Sequence, residues 1–348
     1  MKRKRCFYLS QFVITTLLLL NTYSSKAQES KNTGNDSNYY VTYPQMLTTR
    51  FYFSQKYTAF TLQGKGDIKD LQYCPNTTLN MGVGATYHNF SLNLAYGFGF
   101  LNQDKEKGKT KYLDLQGHFY PKNWVVDWYG ELYKGYYLYP KGFAAISPDN
   151  YYVRRDAKVN LFGIAAYRVL NNKRFSYNAA MIQNEWQKKS AGSLLLGAET
   201  YYGVMKADSA WVPTAVAANY GQAGINDIKF FSIGPGVGYA YTLVIKQHFF
   251  AMGSLAVNLN LGFSSESGIG STNNKTAVNA TALYRMAAGY NSNKWNVSVN
   301  WVGNRLPVSG AANNYLSETG NYRIILAKKI MPGPGLRKPL HSIDRILK

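Results

Sequence analysis

Residues 90–100 read FSLNLAYGFGF. Phe90, Leu92, Leu94, Tyr96, Phe98 and Phe100 take every second position, and Ser91, Asn93, Ala95, Gly97 and Gly99 fill the gaps. A repeat of two puts these sets on opposite faces of a strand. The same division recurs in 228–244, where Phe231, Ile233, Val237, Tyr239, Tyr241 and Leu243 oppose Ser232, Gly234, Gly236, Gly238, Ala240 and Thr242. A soluble β-sandwich would carry Lys, Glu and Thr on its outward face. Here the second face is small and nearly uncharged, which suits an enclosed interior, while the large face meets lipid. Each unpaired backbone group in hydrocarbon costs several kcal/mol, so such a sheet must close on itself.

Composition agrees. Charged residues make up 16% of the 348, against roughly 25% in soluble domains, and there are 30 tyrosines and 31 glycines. After residue 20 no apolar run reaches the length of about 20 residues that a spanning helix needs. Alternating segments are expected at 47–63, 77–87, 90–100, 111–120, 123–138, 157–170, 175–186, 193–204, 228–244, 248–262, 276–290, 294–303 and 320–330. A further crossing near Trp211 to Tyr220 makes fourteen, and demoting it together with 193–204 makes twelve. The expected fold is all-β: a transmembrane antiparallel up-and-down β-barrel of 12–14 strands. Short turns alternate with longer polar connections at 64–76, 102–111, 139–156, 264–275 and 304–319, as periplasmic turns and external loops do. The rival architecture is a soluble periplasmic sandwich. Aromatic clusters at Trp124 and Trp128, 134–140, 199–203, and Trp295 with Trp301 read as interfacial girdles. A carbohydrate platform is the rival there.

The N-terminus sets the expected compartment. Lys2, Arg3, Lys4 and Arg5 precede a short apolar core from Phe12 to Leu20, and Ser25-Lys26-Ala27 offers a cleavage site before Gln28. An N-terminal anchor is the alternative. The expected organisation is a signal peptide at 1–27, a flexible polar leader at 28–46, an outer-membrane barrel at 47–330 and a basic tail at 331–348. Cleavage leaves Cys74 as the remaining cysteine, so no intrachain disulfide is expected. The net charge of +21 falls to +16 with the signal peptide, which holds five basic residues and no acidic one. For an exported, tyrosine-rich strand protein this basicity points to outer-membrane lipid and lipopolysaccharide phosphates as partners rather than nucleic acid. Insertion by the barrel assembly machinery is implied. The oligomeric state is open.

The stretches NTTLNMGVGATYHNFSLNLAYGFGFLNQDKEKGKTKYLDLQ (76–116), YKGYYL (133–138), NNKRFSYNAAMIQNEWQKKSAGSLLLGAETYYG (171–203) and GPGVGYAYT (234–242) resemble domain-of-unknown-function family 4421, an uncharacterised family found mainly in Bacteroidetes. The resemblance runs from about Asn38 to Ile330. It implies an outer-membrane protein, and it implies no activity, substrate or catalytic residue.

Alternation places several ionisable groups in the lumen: Asp114 and His118 on 111–120, Asp127 and Glu131 on 123–138, and Lys158, Glu199, Arg285, Arg323 and Arg50. A mixed-sign network filling or lining the lumen is the plain reading. The sharper one pairs Asp114 with His118 as acid and base of a surface lipid hydrolase, although no nucleophilic serine accompanies them. Basic loop residues Lys105, Lys107, Lys109, Arg154 and Arg155 would contact lipopolysaccharide or a surface partner. No cofactor or metal is expected, since zinc spacing is absent and the GKT at 108–110 lacks the first glycine of a phosphate loop. The leading expectation is a passive small-solute pore or a structural barrel with a filled lumen. A lipopolysaccharide- or partner-binding barrel is the alternative.

Overall fold

The computed structural model describes residues 34–335 except 88, 89, 99, 102, 103, 122 and 269. The expected signal peptide and most of the basic tail lie outside the described residues. Sixteen strands follow in chain order: β1 (Tyr40–Thr42), β2 (Leu47–Leu62), β3 (Leu71–Cys74), β4 (Asn80–Tyr87), β5 (Phe90–Gly97), β6 (Lys111–Asp114), β7 (Gly117–Phe119) and β8 (Trp124–Tyr139) in the first half. The second half holds β9 (Tyr152–Val169), β10 (Glu185–Gln187), β11 (Ala191–Lys206), β12 (Ile225–Ile245), β13 (Phe249–Gly268), β14 (Ser271–Asn291), β15 (Trp295–Val308) and β16 (Tyr315–Ile330).

Ten strands close a ring in the order β2-β3-β8-β9-β11-β12-β13-β14-β15-β16. The last strand returns to the first in antiparallel register, from Tyr315 opposite Leu62 to Ile330 opposite Leu47. The sheet has fourteen strands in all, so the expected 12–14 counts its members and not the ring. The surplus is local. The four-residue β3 joins β2 to β8 at one end, and below it β4-β5 pairs along β2 while β6 and β7 pair along β8. Among the described residues no ladder joins β5 to β6 or β7, so the wall is forked there.

The first residue of β2, the last of β16 and the connections of two or three residues after β4, β12 and β14 share one end, the short-turn end, joined there by the long 170–190 connection after β9. The connections after β2, β8, β11, β13 and β15 share the other, the long-loop end. The outward face is apolar over the barrel's girth, with Leu194, Ile233, Val237, Leu259, Val299 and Ile324 all exposed. Glycines let rings lie flat on the wall: a Cβ at Gly320 would come within 2.4 Å of the Tyr57 ring. Rings and glycines so paired give the high tyrosine and glycine content a common cause.

Several expectations are corrected. The 175–186 segment is not a barrel strand. It turns into the lumen as helix α1 (Tyr177–Met181), capped by Ser176, whose hydroxyl accepts from the Ala179 amide at 3.1 Å, and then forms β10. All five α1 residues are buried, and a stretch buried on every side has no period to distinguish strand from helix. Trp211 to Tyr220 is not a strand either. Pro213 opens a 3-10 helix over Thr214–Asn219 that caps the other end. The 111–120 segment breaks into β6 and β7, and the expected loop at 264–275 is mostly strand, because β13 and β14 continue pairing to Gly268 and Ser271. Part of the polar leader is ordered, since β1 pairs with β10. Nor is the inner face uniformly small. β8 and β9 turn Tyr129, Tyr133, Tyr136, Val159 and Leu161 inward, into one buried cluster with Phe60, Ile228, Phe230 and Tyr315.

Candidate functional site

Two apolar plugs close the lumen. At the long-loop end Trp211 is fully buried, edge-on to Phe60 (5.2 Å) and Tyr73 (5.3 Å), and the Tyr73 hydroxyl donates to its carbonyl. At the short-turn end α1 is held by Asn291, which donates to the Ala179 carbonyl (3.1 Å), and by a Tyr177–Ser254 hydroxyl pair at 2.6 Å. Burial raises the Glu185 carboxyl of β10 above its usual range, opposed by hydrogen bonds that Ser176 and Asn178 donate to it.

Between the plugs lies a polar belt. Arg285 donates to Asp127, and the other Asp127 oxygen lies 2.7 Å from His118 Nδ1. Glu131 accepts from Thr58 (2.6 Å) and Gln116 (2.9 Å). Glu199 accepts from Thr281 and from Asn260 at 2.7 Å. A buried ion is tolerated only when paired and hydrogen-bonded. Asp127 is ion-paired to Arg285, whereas among the described residues Glu131 and Glu199 are held by hydrogen bonds from neutral side chains. The belt fills the lumen rather than lining a water column.

A cavity of 500 Å³ lies behind the fork in the wall. Its inner side carries Arg50, Arg323 and His118, and its outer side Leu92, Leu113 and Phe119, which are half-exposed on the barrel's outer surface. Arg50 is buried and bonds Asn93 (3.0 Å), Thr86 (2.6 Å) and the Ile182 carbonyl (2.8 Å). Arg323 lies over the Tyr52 ring at 5.6 Å. Among the described residues neither guanidinium has a carboxylate within ion-pairing distance, and each Nε is buried without a partner. Lys56, by contrast, pairs with Asp114 at 2.8 Å. The chamber thus presents uncompensated positive charge to an opening with apolar edges.

The expected site residues are distributed as follows. Asp127, Glu131, Glu199 and Arg285 are buried in the lumen, where Asp127 and Arg285 pair and the two glutamates bond neutral side chains. Asp114 and His118 both face the chamber but do not bond each other: Asp114 is taken by Lys56 and Tyr133 (2.6 Å), and His118 by Asp127. No serine or threonine hydroxyl contacts His118 among the described residues, and its Nε2 is buried and unpartnered. Lys158 points outward, the reverse of its expected direction, because Ala157, Val159 and Leu161 fill the inner face of β9. Of the basic loop residues, Lys105, Lys109 and Arg155 are exposed, and Lys107 pairs with Asp104 at 3.2 Å. Arg154 is buried against Asp156 and the Ala210 carbonyl (2.7 Å), so it holds a loop and offers no surface contact. Lys56 was missed, although the run Ser54, Lys56, Thr58 carries the inward phase that would have found it. Among the described residues no group of His, Cys, Asp and Glu is placed to hold a metal ion.

The family model described as "Domain of unknown function (DUF4421)" matches residues 34–327, all but the last three residues of the barrel. The chain belongs to this family. No curated protein sequence matches the DUF4421 chain described here. Solved structures similar to it include the outer-membrane protein OmpT of Vibrio cholerae, at 9% identity over 83% of this chain and 100% of that one, with a TM-score of 0.28. The toluene transporter TodX of P. putida follows at 7% identity, over 84% and 92% of the two chains (TM-score 0.24). OprG of Pseudomonas aeruginosa has 11% identity over 86% and 99% (TM-score 0.22). Similarity at this level gives no residue of the DUF4421 chain a role.

Proposed function

We propose that this DUF4421 protein is an outer-membrane barrel that conducts no solute along its axis and instead binds the anionic head of an amphiphile, admitted sideways from the membrane through the fork between β5 and β6-β7. The short-turn end faces the periplasm. The observation that carries this reading is the pair Arg50 and Arg323, desolvated without a counter-carboxylate, facing a cavity whose mouth is edged by Leu92, Leu113 and Phe119. Buried cations need an anion, and an apolar mouth suits a hydrocarbon tail. A strand edge left unpaired in lipid is costly, so the fork favours an occupant or a neighbouring chain.

Two outcomes follow. Purified protein in a planar bilayer is expected to show no stepwise conductance, because the belt and both plugs obstruct the axis. In exchange measurements with labelled palmitate, Arg323→Gln and Arg50→Gln are each expected to weaken binding about tenfold, the loss of one charge-assisted hydrogen-bonded contact. Hexadecanol, which has the same chain without the charge, should bind the native protein and both variants alike. Equal palmitate affinity in all three proteins would refute the reading.

A further inference from the structure

A second charged surface lies on the outer wall, away from the chamber. On β6, β8, β9 and β11, Lys111, Lys134, Lys158 and Lys206 stand directly opposite one another: Lys111 faces Lys134, Lys134 faces Lys158, and Lys158 faces Lys206. All four are exposed and point outward. Like charges opposed across a ladder destabilise it, yet the row runs through four adjacent strands before Asp227 ends it, 3.8 Å from Lys206. Among the described residues Lys111, Lys134 and Lys158 have no ion-pair partner.

These three lysines border a shallow groove of 290 Å³ whose other walls include Leu113, Leu132 and Asn160. The row sits at the long-loop end of the strands. Toward the short-turn end the next outward residues are Leu113 on β6, Leu132 on β8, Asn160 on β9 and Val204 on β11, followed on β9 and β11 by the exposed Phe162 and Tyr202. Charge therefore gives way to hydrocarbon-compatible surface within one outward residue on β6, β8 and β11 and within two on β9, the profile of a headgroup boundary. Adjacent strands are about 4.8 Å apart, so the four ammonium groups span roughly 15 Å. That is wider than a single small anion.

We infer that this groove binds a phosphorylated glycolipid of the outer leaflet, with its phosphates on Lys111, Lys134 and Lys158 and its acyl chains against Leu113 and Leu132. The inference rests on the membrane placement given above, not on occupancy of the chamber. Lipopolysaccharide supplies the required chemistry: several anionic groups on a rigid saccharide carrying acyl chains on one side.

The test compares the native protein with Lys111→Gln/Lys134→Gln/Lys158→Gln and with the triple arginine variant. Both variants are first checked for heat-modifiable electrophoretic mobility, and because all three side chains are exposed the barrel should survive. Purified lipopolysaccharide is titrated into protein held in neutral detergent, and retention is read by native mass spectrometry at low and high salt. The glutamine variant is expected to lose at least tenfold in affinity and most of its salt dependence, while the arginine variant keeps both. Inorganic phosphate should compete poorly, and phosphatidylglycerol should bind more weakly than lipopolysaccharide. Unchanged affinity in the glutamine variant would overturn the inference. So would competition by free phosphate as effective as by the glycolipid. Palmitate binding at Arg323 is expected to be the same in all three proteins, which separates failure here from failure of the chamber.

Discussion

Arg285→Met should lower the stability of the barrel by about 3–5 kcal/mol, the penalty for leaving one member of a fully buried ion pair without its partner. Both Arg285 and Asp127 are fully enclosed, and Asp127 would keep only His118. The pair itself need not be stabilising, because desolvating two ions offsets most of their attraction. Removing both charges should therefore cost less than removing one. In Arg285→Met/Asp127→Asn the amide oxygen still accepts from His118 Nδ1 and no ion is stranded. Urea unfolding of the refolded protein in vesicles, followed by tryptophan fluorescence, gives the ordering. Native should be first, the double variant close behind and Arg285→Met well below. A double variant no better than Arg285→Met would show that the guanidinium matters through packing on Tyr177, over whose ring it lies at 5.9 Å, and not through charge.

That lumen was partly legible in the sequence. Where a strand has one apolar and one small face, as in Phe231 to Leu243, its phase is unambiguous, and the inward direction of the ionisable groups on 123–138, 193–204 and 276–290 follows. The same reasoning reverses Lys158. On β9 the inward set near the long-loop end is Ala157, Val159 and Leu161, apolar because loop residues such as Trp211 press on this part of the lumen. A strand with apolar residues on both faces has no readable phase. The plugs were illegible for the same reason: 175–186 and 211–220 are apolar because they are packed inside a barrel, and apolar stretches in a barrel sequence resemble its strands. Pairing between neighbouring strands is a further step removed. His118 had a near neighbour in Asp114 on its own segment, but antiparallel register brings it opposite Asp127 of β8, and Asp114 opposite Glu131. The fork, which creates the chamber, depends on β3 ending at Cys74, and no periodicity announces where a ladder stops.

Trp211→Ala should cost about 3–5 kcal/mol as well, the usual loss for truncating a fully buried tryptophan, but the loss should appear in a different place. Trp211 is not part of the ladder that closes the ring. Its side chain meets Phe60, Tyr73 and the Arg154 guanidinium at 6.0 Å, its carbonyl accepts from the Tyr73 hydroxyl, and its amide donates to the Ile225 carbonyl at 2.8 Å, the one of these contacts to β12. Truncation should therefore release the 207–224 connection while the ten-strand ring persists, a local opening rather than global unfolding. At that cost the open population rises by about two to more than three orders of magnitude. Proteinase K added to refolded proteoliposomes should nick the variant within this connection and leave the native protein intact. The heat-modifiable mobility of the unnicked barrel should stay unchanged. Conductance then distinguishes a cap from a gate. Tyr129, Tyr133, Tyr136 and Tyr201 and the Asp127–Arg285 pair still fill the axis beneath the released loop, so the bilayer should remain silent. If current appears when Trp211 is truncated, the 207–224 segment is the barrier to solute flow, and the filled lumen below it is not.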